Sequence, residues 1–528
     1  MDPIALSIFA SRIEAVCDEM GAVLQRAAFS PNIRDRLDFS CAVFDAGGQL
    51  CAQAAHIPVH LGSMAFAMEG IVSHLDWAPG DQVIVNDPFL GGTHLPDVTV
   101  IAPVFIDGEL LGFVANRAHH ADIGAHSPGS MPISRSLEEE GLVIAPTHLV
   151  RGGRRDERVL EGIVGATRNP DEGRGDFAAQ LSANRAALAR LEQLVADFGR
   201  GEFTRSLEAL NDYAERLALD ALGAITDGVY RFEDVMDDDG LGHTDLVIAA
   251  EVRARGGRVH VDFTGTAAQT AGNINCPLSV AAAGVYYVFR CLMPPQTPAC
   301  AGTFRPISLT APEGCLLNAR RPAAVAAGNV ETSTRVVDVV MGALAPALPE
   351  AIPAASHGSM NNLAMGAARG EGRGWDYYET IGGGMGAGPR GGGLHGVQTH
   401  MTNTRNTPVE VFEARYPVRI RRYGLRRGSG GVGRRTGGDG VVREYEFLAP
   451  TQVTLLTERR RHAPWGLAGG AAGACGENRL NGELLAGKVS LAAGPGDRLT
   501  ILTPGGGGWG APAAGQDNRG AGTTGERQ

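Results

Sequence analysis

The segment "VNDPFLGGTHLPDVTV", residues 85 to 100, constrains the folding of this chain more than any other. It begins and ends with the alternating apolar residues of a β-strand, but two prolines and a pair of glycines interrupt the pattern. His94 and Asp97 lie three positions apart inside the interruption, and Pro96 between them fixes its own φ angle. Because a fold alone does not require an imidazole and a carboxylate in a stiff turn beside a strand, the segment indicates chemistry.

A second segment, "NRAHHADIG" at residues 116 to 124, follows the strand-like "LLGFVAN". Side chains of successive strand residues point to opposite faces, so only one of His119 and His120 can join a site with His94 and Asp97. Two imidazoles and a carboxylate suit a divalent ion that keeps an open coordination position. We therefore predict a metal site here, in which the other imidazole supports a ligand or binds a second ion. The alternative is that these histidines bond to backbone carbonyls at strand ends.

Five residues in all are candidates for further roles at the same site or in binding the substrate. Asp38 and His60 lie upstream, and either could instead be an ordinary turn or core residue. His120 and Asp122 are predicted as catalytic residues that orient ligands or move protons. His60 and Arg390, the latter next to the glycine-rich "IGGGMGAGPRGGG", are predicted to bind substrate.

Composition and charge exclude several functions. The net charge of -11 argues against a nucleic-acid partner, which needs a basic face. We find no apolar stretch of about 18 residues and no basic residues ahead of the first apolar ones, so we predict a cytoplasmic protein without a membrane span. Eight scattered cysteines without a C-x-x-C pair indicate reduced thiols. Lys488 is the single lysine, so lysine chemistry would have to occur there.

The chain predicts a mixed, multilayered α+β fold. Residues 1–225 form a metal-bearing α/β part that begins with a helix to about residue 30, with Asp2 as its N-cap, and ends with helices from 157 to 225 that include Gly199 as a C-cap. Residues 226–512 form a β-rich, glycine-rich part with alternating strands and frequent turns. The small, polar residues 513–528 are predicted to be disordered.

Two glycine-containing motifs have features of phosphate-binding sites. "GELLAGKV", residues 482 to 489, nearly matches a phosphate loop, but Val489 has no hydroxyl for magnesium and the motif lies among short strands, so we predict a β-hairpin and no ATP binding. The glycines of residues 381–393 could cradle an anion or could allow backbones to approach closely. The basic run at residues 421–435 is typical of a solvated or interface surface.

Several motifs together resemble the hydantoinase B/5-oxoprolinase family, in order, from about residue 5 to residue 512. They are "HIPVHLGSM", "NDPFLGGTHLPDVTVIAPVF", "NRAHHADIG", "VDFTGTAAQTAGNINCP", "GNVETSTRVVD" and "TPGGGGWG". The resemblance implies that His94, Asp97 and His119 are metal ligands, with Asp38 as a further candidate ligand.

The resemblance also implies a function. It predicts the B-type subunit of an ATP-dependent cyclic amidohydrolase, which opens a lactam, hydantoin or 5-oxoproline-like ring with a divalent ion (manganese, zinc, iron or cobalt). ATP would be bound by an A-type ATPase partner in a heterotetramer or larger complex. Two alternatives stay open: a subunit of an ATP-dependent ketone carboxylase, and a non-catalytic scaffold with a structural metal.

Overall fold

The computed structural model of this chain describes residues 2–54, 57–367 and 374–512, and it has the mixed α+β architecture that the sequence predicts. The predicted disordered residues 513–528 lie outside this part. Within the described residues no helix is both long and apolar enough to cross a bilayer. The helices are α1 (Pro3–Ala27), α2 (Pro31–Arg34), α3 (Pro58–Val72), α4 (Glu157–Val164), α5 (Pro170–Phe198), α6 (Arg200–Leu222), α7 (Leu278–Leu292), α8 (Ala301–Phe304), α9 (Ser333–Leu344) and α10 (Val409–Arg415).

The strands form four sheets. Their bounds in chain order are β1 (Phe39–Asp45), β2 (Leu50–Gln53), β3 (Gln82–Val85), β4 (Asp97–Ile106), β5 (Glu109–His119), β6 (Thr147–Arg151), β7 (Arg154–Arg155), β8 (Gly228–Asp238), β9 (Thr244–Arg255), β10 (Arg258–Asp262), β11 (Ile307–Thr310), β12 (Asn362–Gly366), β13 (Asp376–Glu379), β14 (Val418–Arg426), β15 (Gly440–Phe447), β16 (Thr451–Leu456), β17 (Glu477–Leu480), β18 (Glu483–Leu485), β19 (Lys488–Ala493) and β20 (Arg498–Leu502).

The first sheet carries the predicted site. Its strand order is β2-β1-β5-β4-β3-β6-β7, with every neighbouring pair antiparallel. The central hairpin β4–β5 turns at Asp107–Gly108, a dipeptide typical of tight hairpin turns, and all of β1 pairs with β5. Strand β5 is therefore covered by a neighbour on each side, and its end meets the ends of β1 and β4.

Helices pack on both faces of this sheet, and the strand alternation decides which residues meet them. On one face, apolar residues such as Phe44 and Phe113 join Met64 and Met68 of α3 in one buried cluster. On the other face, residues such as Val114 join α1, α5 and α6 in a second cluster. From Gly112 to the end of β5, a residue with an odd number consequently faces α3, whereas one with an even number faces α5.

The other three sheets are formed by strands between residues 228 and 502. Their strand orders are β11-β10-β9-β8, β13-β12-β16-β19 and β14-β15-β20-β17-β18, and the pair β10–β11 is parallel. Helix α6 ends at Leu222 and β8 begins at Gly228, so the change from helices to strands falls where the sequence predicts it. The division into domains at residue 225 stays a prediction.

The glycine-rich segments interlock backbone against backbone. The Gly384 N–H donates to the carbonyl of Pro504, and the Gly506 N–H donates to that of Gly438. A Cβ built on Gly384 would lie 1.9 Å from the carbonyl oxygen of Gly438, so a larger residue cannot occupy this position. Of the two interpretations of residues 381–393, close backbone approach is the one seen in the structure.

Local predictions are confirmed in most details. Gly199 ends α5 with a φ of 78°, and residues 482–489 belong to short antiparallel strands instead of a loop that opens a helix. Asp2 occupies the N-cap position of α1, but its side chain makes no capping hydrogen bond. Lys488 is fully buried with its Nζ 2.5 Å from Glu458 Oε1, and this carboxylate raises the pKa of Lys488 against the effect of burial, so the amine stays protonated.

Candidate metal centre

Three neighbouring strand ends assemble the centre. Asp97 begins β4 directly opposite His119 at the end of β5, and the His119 N–H donates to the carbonyl of Asp38, the residue before β1. Asp38 lies an even number of residues from Phe44 and His119 an even number from Phe113, and Asp97 pairs with His119. The side chains of Asp38, Asp97 and His119 therefore lie on the α3 face of the sheet.

Two more histidines reach the same point from other elements. His94 lies in the turn before β4, where its carbonyl accepts a hydrogen bond from the Asp97 N–H. His60 is in the first turn of α3, and its Nδ1 lies 3.4 Å from the Ser40 hydroxyl. The Pro-containing turn predicted from the sequence therefore places His94 and Asp97 side by side.

The distances between these side chains are those of a ligand cluster. Asp97 Oδ2 lies 3.2 Å from Nε2 of both His94 and His60, and Asp97 Oδ1 lies 3.3 Å from His119 Nδ1. Ligand atoms of His94, Asp97 and His119 all lie within 4.8 Å of one another, the one such metal-competent group found in the described part of the chain. Atoms that share an ion at about 2 Å lie roughly 3 Å apart, so little movement is needed to bind one.

The hydrogen bonding of the cluster fits a cation. His94 Nε2, Asp97 Oδ1 and His119 Nε2 are buried and have no hydrogen-bond partner among the described residues. Such unpaired buried atoms are costly in a folded protein unless another partner satisfies them. Two imidazoles and a carboxylate are ligands that manganese, zinc, iron and cobalt accept, so the residues present fit a divalent ion.

The electrostatics of Asp97 and His119 favour the protonation states that bind metal, whereas, against the lowering effect of burial, Asp97 raises the pKa of His94. Burial alone would raise the pKa of Asp97, but the neighbouring His60 and His94 outweigh it and hold the pKa of this carboxyl well below its usual range. Burial lowers the pKa of His119, which keeps its imidazole neutral. An ionised carboxylate and a neutral imidazole are the forms that bind metals.

Residues from distant parts of the chain complete the surroundings of Asp97. The Thr93 hydroxyl donates to Asp97 Oδ2 at 2.5 Å, and the Asn329 amide donates to the same oxygen at 3.3 Å. Asn329 lies in a π-helical turn, Gly328–Thr332, within the motif "GNVETST". Sequence reasoning used that motif only as a family signature and assigned it no role at the site.

An aromatic and a cationic side chain pack beside His119. The ring of Tyr378 stacks on that of His119, with centroids 4.6 Å apart and planes 6° from parallel. The Arg36 guanidinium lies 4.8 Å from the centre of the Tyr378 ring and 3.5 Å from Asp38 Oδ2. No pattern in the sequence predicts these contacts, because Tyr378 lies far along the chain in β13.

A cavity of about 20 Å³ adjoins the cluster, which is room for about one water molecule and not for a ring. Its lining includes Asp38, His60, His119, Asn329 and Tyr378. A much larger cavity of about 620 Å³ lies elsewhere, with an apolar lining that includes Phe66, Phe89 and Leu278 and contains none of the cluster residues. The small cavity, unlike the large one, is thus lined by residues of the candidate metal centre.

The two residues predicted as catalytic lie apart from these ligands. His120 faces α5, where its Nε2 lies 2.9 Å from Gln180 Oε1 and its ring packs 4.5 Å from that of Phe177. Asp122 accepts hydrogen bonds from the Ser130 hydroxyl and the Arg168 N–H. His119 and His120 thus point to opposite faces of the sheet, as predicted. The catalytic roles of His120 and Asp122 stay predictions, which these hydrogen bonds do not favour.

The remaining predicted residues divide between rim and surface. Asp38 lies 4.0 Å from both His60 and His119, at the edge of the cluster. Arg390 lies on an exposed turn between Gly388 and Gly391, and the contacts of the described residues do not connect it with the centre. Its role in substrate binding stays a prediction.

Comparison with known proteins adds to this geometry. A protein-family model described as Hydantoinase B/oxoprolinase matches residues 2–512. The chain is 41% identical to 5-oxoprolinase 1 of Arabidopsis thaliana, over 97% of this chain and 42% of that protein, and 38% identical to 5-oxoprolinase of Dictyostelium discoideum, over 97% and 40%. It thus spans about two fifths of the length of these relatives. The crystal structure of ATP-dependent caprolactamase from Pseudomonas jessenii is similar with a TM-score of 0.90 at 29% identity, over 97% of this chain and 93% of that one.

Proposed function

Since the chain belongs to the hydantoinase B/oxoprolinase family, we propose that it is the B-type subunit of an ATP-dependent enzyme that opens a cyclic amide. The substrate would be a lactam, a hydantoin or a 5-oxoproline-like ring, activated by phosphorylation in a partner subunit. The observation that carries this proposal is the convergence of His94, Asp97 and His119 within 4.8 Å, with unpaired buried atoms on all three.

The need for a partner follows from what this chain and its relatives contain. Residues 482–489, the nearest approach to a phosphate loop, lie in short strands, so they do not form the helix-opening loop that binds nucleotide phosphates. The chain matches only 42% of 5-oxoprolinase 1, which leaves more than half of that protein for other functions. We propose that an A-type ATPase subunit supplies the missing part and forms a heteromeric complex with this chain.

The roles of the side chains follow from their positions. A divalent ion held by His94, Asp97 and His119 would activate a water molecule or polarise a carbonyl group. Thr93 and Asn329 hold the Asp97 carboxylate in place, and the closely packed walls exclude bulk water.

His60 is the best placed group to move a proton. Its Nε2 faces Asp97 and its ring lines the small cavity, while Nδ1 lies against the Ser40 hydroxyl. His60 Nε2 can therefore take up or release a proton beside the reacting carbonyl, a role that sequence reasoning gave to His120. Asp38, whose carboxylate lies 4.0 Å from both His60 and His119, is the candidate for binding the ring nitrogen or for a further ligand position.

The test is ATP-dependent ring opening by the purified complex. We expect the chain with its A-type partner to open at least one member of a panel of lactams, hydantoins and 5-oxoproline, and His94→Ala to lose turnover. His260→Ala is the matched control, because His260 bonds to Ser308 and Thr310 on a sheet face away from the cluster.

Each alternative gives a different result in the same assay. Wild-type turnover in His94→Ala would exclude a catalytic role for the cluster and would leave the scaffold function. Bicarbonate-dependent consumption of ATP with a ketone, without ring opening of any amide, would indicate a carboxylase instead.

A further inference from the structure

His94 can bind an ion through Nε2 only if its proton sits on Nδ1. In this protein Nδ1 lies 3.3 Å from the carbonyl oxygen of Ala326, which can only accept a hydrogen bond. This contact therefore keeps a hydrogen on Nδ1, so that Nε2, which lies 3.2 Å from the Asp97 carboxylate, is the nitrogen that can give up its proton and bind an ion. The position of the Ala326 carbonyl therefore decides whether Nδ1 of His94 carries a hydrogen.

A buried carboxylate fixes that carbonyl from behind. Glu140 is fully buried, and its Oε1 accepts hydrogen bonds from the N–H groups of Val325 and Ala326, both at 2.9 Å. Its Oε2 also accepts a hydrogen bond from the Val325 N–H at 3.1 Å, and the Ser134 hydroxyl donates to Oε1 at 2.7 Å. Charge-assisted bonds of this kind are stronger than neutral ones and polarise the peptide groups that make them.

The same segment then continues to the second ligand. Three residues after Ala326, Asn329 donates to Asp97 from the π-helical turn. The turn allows no larger residue at Gly328, where a Cβ would lie 1.8 Å from the Asn275 carbonyl oxygen. Residues 325–329 thus form one short, closely packed segment that contacts both His94 and Asp97. Glu140 accepts hydrogen bonds from the first two N–H groups of this segment.

We propose that Glu140 is a positioning residue for the metal centre, acting through the 325–326 backbone to keep His94 in the tautomer that presents Nε2. The inference rests on the proposed metal site. It assigns to the segment "SLEEEG" a role that neither its sequence nor its surface position suggests, since Glu138 and Glu139 beside it are exposed.

The test uses the metal-free protein and then cobalt, both at pH 8.5, above the pKa of about 7 to which burial raises Glu140. With histidine labelled with ¹⁵N, NMR correlations assigned through His94→Gln report which nitrogen of His94 carries hydrogen. We expect Nδ1–H in the wild type and a mixture of tautomers in Glu140→Gln, because a neutral amide oxygen binds the Val325 and Ala326 N–H groups more weakly than the carboxylate does. Titration with Co²⁺, followed by its visible absorption, should show affinity lowered at least about tenfold.

Two further variants keep the result interpretable. Glu458→Gln combined with Lys488→Met makes the same change at another fully buried carboxylate without leaving its amine partner unpaired, and should leave both the His94 tautomer and the Co²⁺ affinity as in the wild type. If Glu140→Gln does not fold, Ser134→Ala weakens the same carboxylate, and we expect about a threefold loss of Co²⁺ affinity.

The outcomes separate this inference from the proposed function. A Glu140→Gln protein with the wild-type tautomer and wild-type Co²⁺ affinity would overturn the role of Glu140 while leaving the metal site intact. A wild type that binds no Co²⁺ would refute the proposed metal function, and the tautomer of the metal-free protein would still decide whether Glu140 positions His94.

Discussion

The hydroxyl of Thr93 offers the sharpest test of how this centre is built. Thr93 is fully buried, and its hydroxyl donates to Asp97 Oδ2 at 2.5 Å. Thr93→Val keeps the branched shape and removes only that donor. Asp97 would then keep one neutral donor on this oxygen, the Asn329 amide, at the longer distance of 3.3 Å.

The size of the effect follows from the kind of bond that is lost. A hydrogen bond to a charged group contributes about 1.5–3 kcal/mol. Because every 1.4 kcal/mol or so is a factor of ten in an equilibrium constant, the loss corresponds to roughly a tenfold to hundredfold weaker metal affinity. The direction follows because the hydroxyl stabilises the ionised, correctly oriented carboxylate that binds the ion.

The assay is calorimetric titration of Zn²⁺ or Mn²⁺ into the metal-free protein at neutral pH. Thr457→Val is the matched control, since Thr457 is also a fully buried threonine whose hydroxyl donates, at 2.6 Å, to the carbonyl of Gly487. We expect only Thr93→Val to lose affinity. Equal affinity in Thr93→Val and the wild type, or an equal loss in both variants, would refute the argument that Thr93 acts on Asp97.

Three other predictions concern stability and the second histidine. Although burial alone would raise the pKa of Asp234, the neighbouring Arg459 lowers it from 3.8 to about 2. The ionised carboxylate therefore contributes about 2.5 kcal/mol to the free energy of unfolding, which is present above pH 4 and lost as the pH falls towards 2. The difference in urea midpoint between the wild type and Asp234→Asn should shrink over that range. Lys488→Met should lower the free energy of unfolding by about 3–5 kcal/mol because it leaves Glu458 charged and buried, and adding Glu458→Gln should recover much of the loss. His120→Gln should retain full metal content by elemental analysis, and a loss of metal would show that this residue is a ligand.

The sequence predicted the centre where local chemistry determines it. The i, i+3 spacing of His94 and Asp97 around Pro96 gives the observed turn, and strand alternation correctly separates His119 from His120. The antiparallel register that sets Asp97 opposite His119 follows from a hairpin whose DG turn is visible in the letters.

Contacts from distant segments could not be predicted in the same way. Asn329 and the Ala326 carbonyl reach Asp97 and His94 from positions 232 residues further along the chain. No periodicity or turn signal ties these segments together, because the packing of the whole fold sets their distance. For the same reason the sequence alone leaves open whether His60, which lies 3.2 Å from Asp97, belongs to the centre, binds substrate or is an ordinary core residue.

The burial of Lys488 has a practical consequence for experiments on any complex. It is the one lysine in 528 residues, and its amine is enclosed with Glu458. Reagents that couple to exposed lysine amines, whether cross-linkers, biotin esters or fluorescent dyes, will find no lysine to modify on the folded surface. Mapping of contacts with a partner should therefore use carboxylate-directed or photoreactive chemistry, and newly gained lysine reactivity would itself report that this region has unfolded.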